Sequence, residues 1–138
     1  MTEDIAIAFE QAVEQFNQRD FYACHDTLEA IWMDALHPDK AFYQGLLQVA
    51  VGLYHFENHN WRGATILLGE GISRLRYYLP TYGTVEVQQI LTESATLLAT
   101  LQQAGAEGVS DLLKKFESGE LNFPKILCCD RDRSSINP

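Results

Sequence analysis

Apolar residues recur three and four positions apart along nearly the whole chain, the spacing of one face of an α-helix. Over residues 4–17 the stripe is Ile5, Ala8, Phe9, Ala12, Val13 and Phe16. Asp20 is a natural N-cap, and a second helix is predicted from there to about Leu36. Pro38 suits the first turn of a third helix that ends near Asn58. Asn60 then caps a fourth helix, which is expected to run to Leu79 and stop at Pro80. Pro80-Thr-Tyr-Gly83 reads as a turn. Thr84 is placed to cap a fifth helix, with Val87, Ile90, Leu91, Ser94, Leu97, Leu98 and Leu101 on one face. Gly105 to Gly108 breaks it, and a short sixth helix around Leu112, Leu113 and Phe116 ends at Gly119.

One stretch resembles another at an offset of 40: F16-N-Q-R-D-F-Y-A-C-H-D-T-L28 against F56-E-N-H-N-W-R-G-A-T-I-L-L68. Each has a phenylalanine, three polar residues, Asp or Asn, an aromatic, then small residues three and four positions after the cap. The physical reading is two related helical hairpins, with Ala23 and Cys24, or Gly63 and Ala64, permitting close helix crossing. The expected architecture is therefore all-α: two such hairpins, a long fifth helix packed across them and a short sixth. Residues 1–121 form the single helical domain in this reading. Residues 122–138 form an extended tail whose last residues are disordered.

The chain has 138 residues, enough for one domain to bury a core without disulfides or metal. A formal net charge of −9 repels phosphate backbones and anionic lipid, so neither nucleic acid nor a membrane surface is an expected partner. No signal peptide is read at the start, and no stretch reaches the roughly 18 apolar residues of a membrane span. Three cysteines, with Cys128 and Cys129 adjacent, make neither a disulfide framework nor a CxxC zinc pattern. A reducing cytoplasm fits that usage best.

The chemistry concentrates on two helices. His25 and Glu29 lie one turn apart, with Trp32 alongside, on the border of the apolar arc of the second helix. Gln44, Gln48 and His55 line one stripe of the otherwise apolar third helix. Burying such groups unpaired costs about 1–3 kcal/mol each, so their placement near a core is informative. The short loop at His37–Asp39 makes the two helices neighbours, and their stripes are expected to face each other across a cleft. Gly45 and Gly52 beside the stripe imply close backbone approach or room for a ligand. Arg62 is in reach of an anionic group there.

Three readings follow. The cluster is a structural hydrogen-bonded network, either alone or as the scaffold of a cleft that holds a small ligand or a partner segment. Alternatively, His25 with Glu29 and His55 holds a metal with an open position, as a metal-dependent hydrolase would. A third option is metal-free general-base chemistry at His25. No particular cofactor is implied. Tyr77 and Tyr78 read as packing residues, and Arg74 and Arg76 as a solvated face.

The run from Phe16 to Leu75 resembles the family called domain of unknown function 309. The matching residues are F16-N-x-x-x-F21, H25-D-x-L-E29-x-x-W32, Q44-G-L-L-Q48, His55, Asn60, Gly63 and Ala64. The resemblance implies a compact all-α fold and brings with it no activity, substrate or cofactor. The family usually has glutamate where this chain has Asp26, a shortening that weakens any general-base role there.

Overall fold

Asp20 and Asn60, equivalent in the repeat, each accept the backbone N–H three residues on: Ala23 at 3.4 Å and Gly63 at 3.0 Å. The residues before them, Arg19 and His59, both take left-handed conformations with φ of 66° and 61°. In both turns the backbone bonds match. Arg19 and His59 donate back to Phe16 and Phe56, and the caps donate to Gln15 and His55. The sequence repeat is thus a repeated helix–turn–helix.

The computed structural model describes residues 3–129. It contains α1 (Glu3–Asn17), α2 (Phe21–Asp34), α3 (Asp39–Glu57), α4 (Trp61–Leu75), α5 (Val87–Ala104) and α6 (Val109–Glu117). Short 3-10 turns occupy Arg76–Tyr78 and Ala106–Gly108. The protein is all-α, as the periodicity predicts. Consecutive helices pack on one another from α1 to α4, and α5 lies chiefly against α4. The core runs through Phe16, Phe21, Leu28, Leu46, Leu53, Phe56, Leu68 and Leu101, all fully buried. Among the described residues no helix is long and apolar enough to cross a membrane.

Three boundaries differ from the sequence expectation. Helix α2 stops at Asp34 and not Leu36, where the Ala35 N–H bonds the Trp32 carbonyl at 3.2 Å and the Lys40 ammonium donates to the carbonyls of Trp32 (2.9 Å) and Met33 (3.3 Å). Helix α4 tightens into a 3-10 turn after Leu75. Thr84 does not cap α5. Val85 is held in isolated bridges by Tyr82 and Cys128, the Glu86 N–H bonds Leu127, and the helix starts at Val87.

Residues 122–129 carry no helix and return along the bundle. Phe123 and Ile126 enter the core, and the Asn17 amide both donates to and accepts from the Ile126 backbone, at 2.9 and 2.8 Å. Arg19 lies over the Phe123 ring at 4.2 Å and pairs with Glu57 at 3.2 Å. The expected disorder of the last residues concerns 130–138, outside the described residues.

The closest helix approach is between α3 and α4. A methyl group at Gly71 would fall 2.7 Å from Val49 Cγ2 and 2.8 Å from the Gly45 carbonyl oxygen. At Gly45 it would meet Leu75, and at Gly52 Leu68. The loop after α4 is pinned to α3 by the Tyr82 hydroxyl, which donates to Asp39.

Three outcomes follow from this packing. Leu28→Ala and Leu68→Ala, at equivalent and fully buried repeat positions, should each cost about 2–5 kcal/mol in denaturant unfolding. Gly71→Ala should destabilise by about 1–3 kcal/mol through overpacking. By contrast Gly69→Ala, with its nearest neighbour 4.0 Å away, should stabilise α4 by up to about 1 kcal/mol. The same sign at both glycines would refute the close approach. Burial first, and the Asp39 carboxylate second, push the Tyr43 and Tyr82 phenols from 10.0 up to about 12. These phenols hold their protons more tightly folded than unfolded. Their contribution to stability is whole below pH 10 and is lost as pH rises towards 12. Melting temperature should fall across that window, and Tyr82→Phe should flatten the fall.

Candidate functional site

On α2, His25 is occupied by its own helix. Its Nδ1 lies 3.2 Å from Asp26 and its Nε2 3.3 Å from Glu29, with the histidine side chain 29% exposed. Trp32 is half-buried under the Lys40 ammonium, 4.5 Å from its ring. The buried indole N–H finds no hydrogen-bond partner among the described residues.

On α3 the polar stripe forms, but its bonds run to α4 and not to α2. The Gln48 amide donates to Glu70 at 3.1 Å and accepts from Arg74 Nε at 2.9 Å. His55 Nδ1 lies 3.2 Å from the Asn60 amide, and the ring packs against Gly63, where a methyl group would fall 2.8 Å from it. Gln44 is half-buried. The expectation that the α2 and α3 stripes meet directly is corrected on this point. Helix α3 turns its glycines and Gln48 to α4 together, because Gly45 and Gly52 lie on the side where α4 comes closest.

What links His25 to His55 is a row of rings. Tyr22 stands 6.0 Å from His25 and 5.5 Å from Tyr54, and Tyr54 stands 6.1 Å from His55. The set His25, Glu29 and His55 is therefore not gathered around one point. Among the described residues no three histidine, cysteine, aspartate or glutamate side chains are grouped to hold a metal ion. Cys24 is buried, and desolvation pushes its thiol up to about 12. Such a thiol stays protonated at neutral pH and is a poor nucleophile. Arg62 is exposed on the first turn of α4.

Residues given other roles by the sequence prove more prominent. Arg74, read as part of a solvated face, is held by Gln48 at the rim of an open hollow of about 550 Å³. The hollow is lined by His37, Ala41, Glu70, Ser73, Tyr77 and Tyr78 as well. The other guanidinium nitrogens of Arg74 have no hydrogen-bond partner among the described residues. Tyr78 packs on Phe42, as expected, but Tyr77 is 77% exposed and carries Arg76 over its ring at 5.3 Å. The sequence signal for this hollow was the pair Glu70 and Arg74, one turn apart on α4 and flanking Gly71.

The comparisons fall on the same helices. The chain is 37% identical over 65 residues to the uncharacterized protein YpuF of Bacillus subtilis (strain 168). That alignment covers 46% of this chain and 37% of the relative, so the chain spans little more than a third of that protein. Residues 9–67, from within α1 to within α4, match the domain of unknown function family DUF309, and over that segment the resemblance read from the sequence is shown.

Proposed function

We propose that this chain is a small binding protein that holds a small ligand or partner segment on the polar face of α3. The contact centre is where Gln48 meets α4. The observation that carries the reading is the Gln48 amide, which fixes Glu70 and Arg74 on opposite sides of itself at the edge of an open hollow. A planar guanidinium with one N–H already tied down is preorganised, and its free fork matches a carboxylate or phosphate group. Gln44 lies one turn before Gln48 on the same face, and Tyr77 and Tyr78 supply apolar wall. His25, Glu29, Trp32, His55 and Arg62 belong, on this reading, to the adjoining surface along which a partner segment extends. The unpaired thiols of Cys24, Cys128 and Cys129 fit a reducing compartment such as the cytoplasm.

The test is thermal denaturation of the unaltered chain with acetate, citrate and inorganic phosphate at matched ionic strength. A bound anion should raise stability by about 2.7 kcal/mol at a hundredfold excess over its dissociation constant. Arg74→Gln should keep the unliganded melting temperature and lose that rise, and Gln48→Leu should reduce it. An identical rise in Arg74→Gln, or none with any anion in the unaltered chain, would remove the reading.

A further inference from the structure

A second, chemically opposite environment lies around the start of α3. Asp39 opens that helix, yet its carboxylate makes no cap bond and instead accepts the Tyr82 hydroxyl through Oδ1. The other oxygen, Oδ2, takes no hydrogen bond among the described residues. Around it stand five rings from three parts of the chain. Phe42 lies 6.4 Å from Phe9, 5.7 Å from Tyr43, 5.3 Å from Tyr78 and 4.8 Å from Tyr82. Phe9 and Tyr43 are 5.7 Å apart. Rings from α1, α3 and the loop after α4 thus converge on one carboxylate.

The space is there as well. A hollow of about 280 Å³ is lined by Phe9, Asp39, Phe42, Tyr43, Tyr82 and the Gly83–Val85 backbone segment. On its other side Asp39 and Tyr43 also line a wider depression of about 440 Å³ that opens past His37. Tyr43 is only 3% exposed, and its hydroxyl has no hydrogen-bond partner among the described residues. The neighbouring hydroxyls are committed, Tyr82 to Asp39 and Tyr78 to the Pro38 carbonyl at 2.7 Å. The Tyr43 ring is buried while its oxygen stays open to the hollow beside a half-used carboxylate, so the two offer acceptors to an incoming donor. The phenol is protonated at neutral pH, as any tyrosine is, and burial pushes its ionisation further up, to about 12.

We propose that Asp39, Tyr43 and Tyr82, walled by Phe9 and Phe42, form a site for a small protonated amine. The ammonium N–H groups donate to Asp39 Oδ2 and to the Tyr43 oxygen, and its carbon substituents lie on the ring faces. The negative face of an aromatic ring attracts a cation, most strongly where water is displaced. The size of the inner hollow fits a compact head group and not an extended ligand. The overall charge of −9 raises the local concentration of cations. The adjacent Lys40 does not fill the site, because its ammonium is turned to the Trp32 and Met33 carbonyls. The same chemistry is offered by a free alkylamine and by a lysine side chain. The site uses residues distinct from Gln48 and Arg74, so either proposal stands or falls without the other.

The experiment titrates the full chain with n-butylammonium, tetramethylammonium and Nα-acetyl-lysine methylamide at constant ionic strength. The neutral control is 1-pentanol. Binding is followed by aromatic proton NMR and by melting temperature. The cations should shift the Tyr43 and Tyr82 ring resonances saturably, and the neutral control should not. Asp39→Asn should weaken every cation about tenfold or more. Tyr43→Phe removes a hydroxyl that bonds nothing among the described residues, so it should fold normally. It should weaken n-butylammonium and leave tetramethylammonium, which has no N–H, unchanged. Should Asp39→Asn fail to fold through loss of the Tyr82 pin, the Tyr43→Phe comparison decides alone. Tighter binding of the lysine derivative than of n-butylammonium assigns the site to a protein or peptide lysine, and the reverse order assigns it to a free amine. Equal response to the alcohol, no saturable shift with any cation at about 10 mM, a weak-binding limit, or an unchanged n-butylammonium affinity in Tyr43→Phe overturns the proposal.

Discussion

The contact between α3 and α4 is the constraint on which the rest of this protein rests. The two backbones approach so closely that Gly71 admits no side chain against Val49 and the Gly45 carbonyl. Glycine inside a helix costs about 1 kcal/mol relative to alanine. That cost is accepted at four sites on the facing surfaces, Gly45, Gly52, Gly63 and Gly71, because interior packing density rewards the contact that they permit. This contact is the most extensive between any two helices of the fold. It also fixes the azimuth of α3, and so which neighbour receives its polar stripe.

The two hairpins share more than a pattern of letters. Each pivot puts a non-glycine residue in the left-handed region, Arg19 or His59, immediately before a capping Asp or Asn. A left-handed residue costs energy unless its surroundings hold it. Here both pivots are held: Arg19 by Glu57 and the Phe123 ring, His59 by Ser110 at 2.8 Å. The later helices and the returning segment therefore lock the hinge of each hairpin. That is why Phe123 and Ile126, distant in sequence, share the core with Phe16, Phe21 and Phe56.

The surface chemistry divides by sign within a short distance. At the α3–α4 edge a guanidinium is held with free donors. At the start of α3 a carboxylate and a phenol are held with free acceptors. Phe42 and Tyr78 pack at 5.3 Å between the two environments. The His25–Glu29 pair, by contrast, satisfies itself within one helix turn, and its surroundings are a row of tyrosine rings and not a gathered set of ligands.

The sequence by itself determined the helical class, the two related hairpins, the Asp20 and Asn60 caps and the inward stripes of α1, α5 and α6. These are local matters: periodicity, capping and turn chemistry act within a few residues. Helix ends were legible only where the stop was local too. Thr84 lost its expected capping role because Val85 is bridged to Cys128, 43 positions away, a pairing that no local pattern encodes. The polar stripe of α3 was legible as a stripe, but its destination was not. A helix carries two neighbours, α2 and α4, and the sequence shows only that polar and small residues lie together on it. The tertiary structure decided that Gln48 and His55 turn to α4, because the glycines require that face for close approach. It alone decided the convergence on Asp39 as well. Phe9 read as part of an apolar stripe and Tyr82 as part of a turn, and only the return of the loop after α4 brings them, with Tyr43, around one carboxylate.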